Sequence, residues 1–396
     1  MIQRALLDTR RAVRNALRDA ALPGTAALPG IAALSGTAAL SGTAALSGTA
    51  ELSGTTEPSG TAAPPGGVRP GVAAPAPRPL VLVALSGGAD SLALAAAVAH
   101  EAPRLGLSAG AVIVDHGLQR DAAAVAGTAA DLARGLGLAP VRLVGVRVTD
   151  DGDGPEAAAR AARYDALART AEAERAAAIL TAHTRDDQAE QVLLGLARGS
   201  GSRSLAGIPP ARELAPGVAI LRPFLAADPA ITRAVTEAAC AEQGLAFWRD
   251  PHNADPAYAR ARVRARVLPV LERELGPGVA AALARSADLA REDAEAFDAM
   301  VDEQIEEIVE PAEAGIAVSA AALAANPAAL RHRIIRRVAE VEFGIGLGRE
   351  HTLAIAALVT AWRGQGPLHV PGILVTRDRG RIVFTGAPGA RSGMEE

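Results

Sequence analysis

The stretch LVALSGGADSLALAAAVA, residues 82–99, runs from an apolar strand through a tight polar loop into an Ala/Leu-rich helix. Gly87 and Gly88 have no Cβ, so the backbone there can bend closely around an anion. The helix that follows points its free amides and positive end at the same place. Ser86 and Ser91 can donate hydroxyl hydrogen bonds, and Asp90 can hold a hydrated Mg²⁺ that neutralises phosphate charge. An ordinary strand-to-helix connection, capped by Ser91 or Asp90, accounts for a Gly-Gly turn but not for the whole S-G-G-A-D-S string placed after a strand. No GK[ST] follows, so this is not a Walker loop.

Outward from that loop, short apolar runs alternate with longer helical patterns. PLVLVAL (79–85), AGAVIVD (109–115), PVRLVGVRV (140–148), AAAILTAH (176–183) and VAILRPF (218–224) read as strands. Strands separated by helices predict an α/β fold, a parallel sheet covered on both faces. Its chemistry gathers at the carboxyl ends of the strands, near a topological switch point. Asp115 and His116 stand at one such end. His183 closes another, with Asp186 and Asp187 at the start of the next helix and Glu190 one turn on. That spacing lets a carboxylate cluster face the loop as hard Mg²⁺ ligands, although acids in a first turn also cap a helix. Arg160 and Arg163 lie three apart on one helix, suited to phosphate or RNA unless they form a solvated face. Arg260, Arg262, Arg264 and Arg266 alternate over seven residues, a concentrated positive site. On a helix, i and i+2 residues spread over different faces, so only some of them can meet one partner.

The 396 residues, 49% of them hydrophobic, suffice for more than one core. All 40 basic residues are Arg, yet the net charge is −4, so any nucleic-acid contact must come from a local cluster. A single cysteine, Cys240, excludes an internal disulfide and a cysteine-ligated cluster, and fits a cytoplasmic protein. Ile2, Leu6, Val13 and Leu17 recur at helical spacing; Asp8, Asp19 and the lack of serine argue against a transit peptide. No uncharged apolar run is long enough for a membrane span. From Leu22 a six-residue unit repeats (ALPGTA, ALSGTA and variants), with too few large apolar side chains for a core. The expected organisation is an N-terminal helix over 1–20, a repeat linker over 21–78, the catalytic α/β domain over 79–225, a helical region over 226–310 and a small α+β domain over 311–396. Turns are expected at Pro371-Gly372 and Asp378-Arg379-Gly380.

The S-G-G-A-D-S string resembles the signature of the N-type ATP pyrophosphatases, also called the PP-loop superfamily, in which a Rossmann-like sheet grips the pyrophosphate of ATP and the substrate is activated as an adenylate. With V-D-H-G-L, E-A-A-A-R-A-A-R-Y, A-H-T-R-D-D-Q-A-E-Q-V-L-L, L-R-P-F, W-R-D-P-H-N-A-D and R-A-R-V-R-A-R-V-L-P in order over residues 86–269, the chain resembles the tRNA(Ile)-lysidine synthases. That resemblance implies attack of the C2 oxygen of a wobble cytidine on ATP, then displacement of AMP by L-lysine, on a tRNA(Ile) with a CAU anticodon. It implies ATP binding by Ser86, Gly87, Gly88, Ala89, Asp90 and Ser91, with Mg²⁺ at Asp90 and Asp187. Asp90, Asp115, His183, Asp186, Asp187 and Glu190 would line the reaction chamber. Arg160, Arg163, Arg249, Asn253, Arg260, Arg262, Arg264 and Arg266 would meet tRNA. A homodimer is compatible with it. Gln119 stands where the family often has Arg, and Gln191 where Thr is commoner. A tRNA-thiolating relative would need several cysteines, an amidating one a glutaminase nucleophile, and a non-catalytic RNA-binding module would not need the intact loop.

Overall fold

The computed structural model describes residues 4–20, 22, 78–115, 122–146, 155–199, 201–251, 255–313 and 315–387. Apart from Leu22 and Arg78, the repeat segment lies outside the described residues, as do His116, Gln119, His252 and Asn253. Among the described residues no helix is long and apolar enough to cross a membrane.

The first sheet holds β1 (Leu80–Ala84), β2 (Ser108–Asp115), β3 (Val141–Gly145), β4 (Ala176–Leu180), β5 (Ala211–Ala215) and β6 (Val218–Leu221), in the order β3-β2-β1-β4-β6-β5. Val81, Leu82 and Val83 are fully buried because both faces of the sheet are covered, and that burial is why β1 reads as an unbroken apolar run. All pairings are parallel except β5 with β6, which form a hairpin across Pro216-Gly217, with Gly217 at φ 74°. The expectation of a parallel sheet therefore needs one correction, an antiparallel edge strand. The ARELA segment begins with three exposed residues, two of them charged, and so carries no continuous apolar run.

Helices α1 (Arg4–Asp19), α2 (Ala89–Glu101), α3 (Ala122–Gly135), α4 (Pro155–Ala173), α5 (Arg185–Ala197), α6 (Ser202–Leu205) and α7 (Arg233–Glu242) surround this sheet. One face packs Leu17, Val13, Leu92, Leu94, Ile231 and Cys240 against β1. The other packs Leu167 and Ala171 of α4 against Leu82 and Ile179. The N-terminal helix α1 is integral to that first core: Leu6, Ala12, Val13 and Leu17 are buried, and Arg14 donates two hydrogen bonds to the buried Glu101 at 2.8 and 3.1 Å. Since β1 is flanked by β2 and β4, the loops after β1 and β4 face each other across the switch-point crevice.

Beyond the sheet, α8 (Ala259–Arg262) continues through a wide π turn (Val263–Val267) into α9 (Leu268–Leu275). Next comes α10 (Val279–Ile308), 30 residues and hence about 45 Å long at 1.5 Å per residue. A second sheet holds β7 (Val309–Ala312), β8 (Gly315–Ser319), β9 (Leu368–Val370), β10 (Ile373–Asp378) and β11 (Arg381–Gly386), antiparallel in the order β7-β8-β11-β10-β9. Helices α11 (Ala320–Ala325), α12 (Ala328–Phe343) and α13 (Arg349–Thr360) pack on it around Ile334, Ile355, Val375 and Phe384. The turns between β9 and β10 and between β10 and β11 fall at Pro371-Gly372 and Asp378-Arg379-Gly380. Arg379 and Gly380 both adopt positive φ, 43° and 82°, as a two-residue hairpin turn requires.

Candidate functional site

The loop after β1 is braced from within. Gly87 sits at φ 82°, a conformation that disfavours any Cβ, whereas Gly88 has an ordinary φ of −76°, and a Cβ there would meet Ser86 Oγ and the Trp248 carbonyl at 3.8 and 3.9 Å. Of the two glycines it is Gly87 that the turn requires. The Ser91 hydroxyl accepts from Ser86 N at 3.1 Å and donates to the Gly88 carbonyl at 3.0 Å, and its oxygen lies 3.1 Å from Ser86 Oγ. Ser91 is accordingly committed to the loop itself, with Ser86, an exposed residue, sharing its hydroxyl hydrogen bond. From the other side Trp248 N donates to the Gly87 carbonyl at 2.9 Å. The W-R-D-P segment is in this way docked against the loop from 161 residues away along the chain.

Across the crevice, the first turn of α5 brings its acids to Asp90. The Asp187 carboxylate completes a capping box, accepting from Thr184 N at 2.8 Å and Thr184 Oγ1 at 2.9 Å. Asp186 accepts from Arg233 N at 2.6 Å and so secures the start of α7. Glu190, fully buried, receives a two-point hydrogen bond from Arg264 at 2.7 and 3.1 Å. Arg233 reaches Asp187 at 3.4 Å, Glu190 at 3.6 Å and Asp90 at 3.9 Å. Asp90 also accepts a hydrogen bond from the Thr236 hydroxyl.

These surroundings shift the titrations in opposite directions. Burial raises the Asp90 carboxyl to about 6, with Asp187 adding to the rise and the Thr236 hydrogen bond, Arg233 and Arg264 opposing it. Burial also opposes ionisation of Asp187, but Arg233, His183 and the Thr184 hydrogen bonds outweigh it and hold Asp187 below the usual carboxylate range. His183 is held well below its ordinary value, first by burial and then by Arg222, Arg163 and Arg160. It is neutral at physiological pH, with Nδ1 3.1 Å from the Thr181 hydroxyl.

Beside His183 lies a group of arginines around Tyr164. Arg160, Arg163 and Arg212 approach its ring at 5.1, 5.8 and 5.2 Å, and Arg222 donates to its hydroxyl at 3.4 Å. The alternating arginines divide by helical face. Arg260 and Arg264 turn inward, Arg260 donating to Gln191 at 2.7 Å, which gives the Gln at that position a structural partner. Arg262 binds the carbonyls of Pro256 and Ala257 at 2.7 Å each, and Arg266 is exposed. Arg249 is exposed, lying over Phe247 at 5.0 Å and 3.5 Å from Glu237. Only some of the four could meet one partner on helical spacing, and here Arg260 is engaged with Gln191 and Arg264 with a buried acid. Asp115 ends β2 at the same rim, in register with Gly145 of β3. Sequence reasoning assigned no role to Arg233, Thr236, Tyr164 or Arg222; E-A-A-A-R-A-A-R-Y and L-R-P-F, already noted, contained the last two, while nothing local marks Arg233 and Thr236.

Among the described residues no three acidic, His or Cys side chains are arranged as a ready-made metal cage. Asp90 and Asp187 are two hard oxygen donors on opposite walls of one crevice, each in contact with Arg233.

The PP-loop domain family matches residues 71–271, and the TilS substrate binding domain family matches residues 319–383. The chain is similar to the tRNA(Ile)-lysidine synthase of Leifsonia xyli, 57% identical over 78% of this chain and 90% of that one. It is also similar to those of Salinispora tropica, 52% identical over 81% and 94%, and Thermobifida fusca, 53% identical over 74% and 87%. A braced glycine loop facing a buried acid cluster, in a chain matched along most of its length by these relatives, leads to one assignment: this chain belongs to the tRNA(Ile)-lysidine synthase family.

Proposed function

We propose that the protein ligates L-lysine to C2 of the wobble cytidine of a tRNA(Ile) with a CAU anticodon, releasing AMP and diphosphate from ATP. The observation that carries this reading is the braced Ser86–Ser91 loop opening onto Asp90 and Asp187, in a chain whose relatives bear that enzyme name. The free amides of the loop and the start of α2 would hold the pyrophosphate half of ATP. The cytidine C2 oxygen would bond to the α-phosphorus, pyrophosphate would leave, and the lysine amine would then displace AMP at C2.

Mg²⁺ fits this site by donor chemistry: the ion commonly takes one or two carboxylates and completes its shell with substrate phosphates and water. Asp90 and Asp187 would hold it, and when bound it would neutralise charge on the triphosphate. A neutral His183 at the rim offers a lone pair to a substrate N–H without adding positive charge where an ammonium must enter. The exposed Arg160, Arg249 and Arg266 are the arginines available to RNA phosphates, with Arg163 behind them.

The test is diphosphate release by the purified protein with ATP, Mg²⁺, lysine and unmodified CAU-anticodon tRNA(Ile), beside the same tRNA with its wobble C changed to U. Release with the first alone is expected. Release with neither, from a protein that binds ATP, would require a different acceptor for the same ATP chemistry.

A further inference from the structure

Two arginines enter the acid cluster, and they are held in different ways. Arg264 is clamped: its two contacts with Glu190, at 2.7 and 3.1 Å, have the length and pairing of a bidentate charge-assisted bond. Among the described residues the Arg233 head has no two-point partner of that kind, only a long hydrogen bond to Asp187 at 3.4 Å. Its nearest carboxylate oxygens, on Asp187, Glu190 and Asp90, lie at 3.4, 3.6 and 3.9 Å, all longer than the roughly 2.7–2.9 Å of a well-made contact of this kind. The backbone beneath it is fixed, for Arg233 N donates to Asp186 at 2.6 Å and its carbonyl accepts from Thr236 Oγ1 at 2.8 Å. A fixed base with a loosely shared guanidinium, 26% exposed in the crevice between the Ser86–Ser91 loop and the first turn of α5, suits a side chain that changes partners.

We propose that Arg233 leaves these carboxylates for the pyrophosphate of ATP and stabilises it as the leaving group. This rests on the reading that ATP is cleaved between its α- and β-phosphates. As the cytidine oxygen bonds to the α-phosphorus, the bond from that phosphorus to the bridging oxygen breaks. The electron pair passes to the bridging oxygen, which departs with the β- and γ-phosphates. Charge therefore grows on the pyrophosphate, and a guanidinium fork matches two of its oxygens at once. Arg264, committed to Glu190, cannot do this without abandoning a buried carboxylate.

Arg233→Gln and Arg233→Lys test the assignment, with binding of inorganic pyrophosphate to the free protein measured by calorimetry without tRNA or lysine. Arg233→Gln should weaken pyrophosphate roughly tenfold to hundredfold, the scale of losing one hydrogen-bonded charge contact. Arg233→Lys, which keeps the charge but not the fork, should lose several-fold. In the complete reaction both should slow diphosphate release while the KM for lysine stays unchanged. A residue that merely balances the acids would lower the melting temperature when replaced by Gln and leave pyrophosphate affinity alone. If Arg233→Gln does not fold, Arg233→Lys decides: wild-type affinity in a folded Arg233→Lys protein overturns the proposal. A wild-type protein that binds pyrophosphate but releases none with any tRNA would instead sink the functional reading, and the binding comparison at Arg233 would still stand.

Discussion

Asp90 illustrates how far a single side chain can be read from its motif. Its place in S-G-G-A-D-S marks it as a phosphate-site acid, but its energetics depend on Thr236, 146 residues onward, and on Asp187 and Arg233. No local pattern announces those partners, because α5 and α7 reach the loop only through the order of strands in the sheet. The carboxyl is raised from 3.8 to about 6, chiefly by burial. A group that binds its proton more readily when folded makes folding stability decline as pH rises from about 4 to about 6, and leaves it at the lower level above that. The rise corresponds to at most about 3 kcal/mol at 1.36 kcal/mol per unit. Asp90→Asn, which cannot ionise, should therefore be about 1–3 kcal/mol more stable than wild type at pH 8, and nearly equal to it at pH 4, in melts without nucleotide or divalent cation. The same variant should fail to release diphosphate. Equal stability at pH 8 would mean that the cluster imposes no cost on this carboxylate.

At the scale of elements, α5 and the helical stretch from Ala259 to Leu275 exchange what each was expected to offer to a substrate. Read singly, Glu190 is a chamber acid and Arg264 an RNA contact; paired, they fasten the second element to the first. Helical spacing already separates Arg260 and Arg264 from Arg262 and Arg266, but it does not say which face turns inward. The hidden deciding fact is the buried carboxylate one turn into α5. Removing one partner of a buried ion pair leaves the other charge uncompensated, at a cost of about 3–5 kcal/mol. Glu190→Gln should accordingly lower the unfolding free energy by about that amount, and Glu190→Gln combined with Arg264→Met should recover part of it. Chemical denaturation of the four proteins measures this. A Glu190→Gln protein as stable as wild type would return Glu190 to a purely substrate-facing role. The strands that escaped notice, β5, β7 and β8, are short and lie at or near a sheet edge, where apolar alternation is weakest.

Over the whole molecule, α10 does what neither sheet can do alone. The five strand segments, the order of helices and the two C-terminal turns were legible because short apolar runs and turn chemistry leave local marks. A 30-residue amphipathic helix shows only that it has a buried face, not what lies under it. Its first half packs along α5, and Arg185, 7% exposed, donates to Asp288 at 2.7 Å and to the Leu225 carbonyl at 3.0 Å. Its second half enters the C-terminal core through Val301 and pairs Asp298 with Arg333 and Asp302 with Arg337 of α12. Arg185 immediately precedes Asp186 and Asp187, so the Arg185–Asp288 pair joins the acid-bearing turn to the strut that carries the region matching a substrate binding domain. If RNA bound at that far end is to improve catalysis, one rigid path to the acid-bearing turn runs through this pair. Asp288→Asn keeps the shape and a weaker hydrogen bond but removes the charge. It should lower kcat on full-length tRNA several-fold and leave activity on an isolated anticodon stem-loop, which lacks the rest of the tRNA, close to wild type. An equal loss on both substrates would show that the pair only stabilises α5, and that the two ends of α10 act independently.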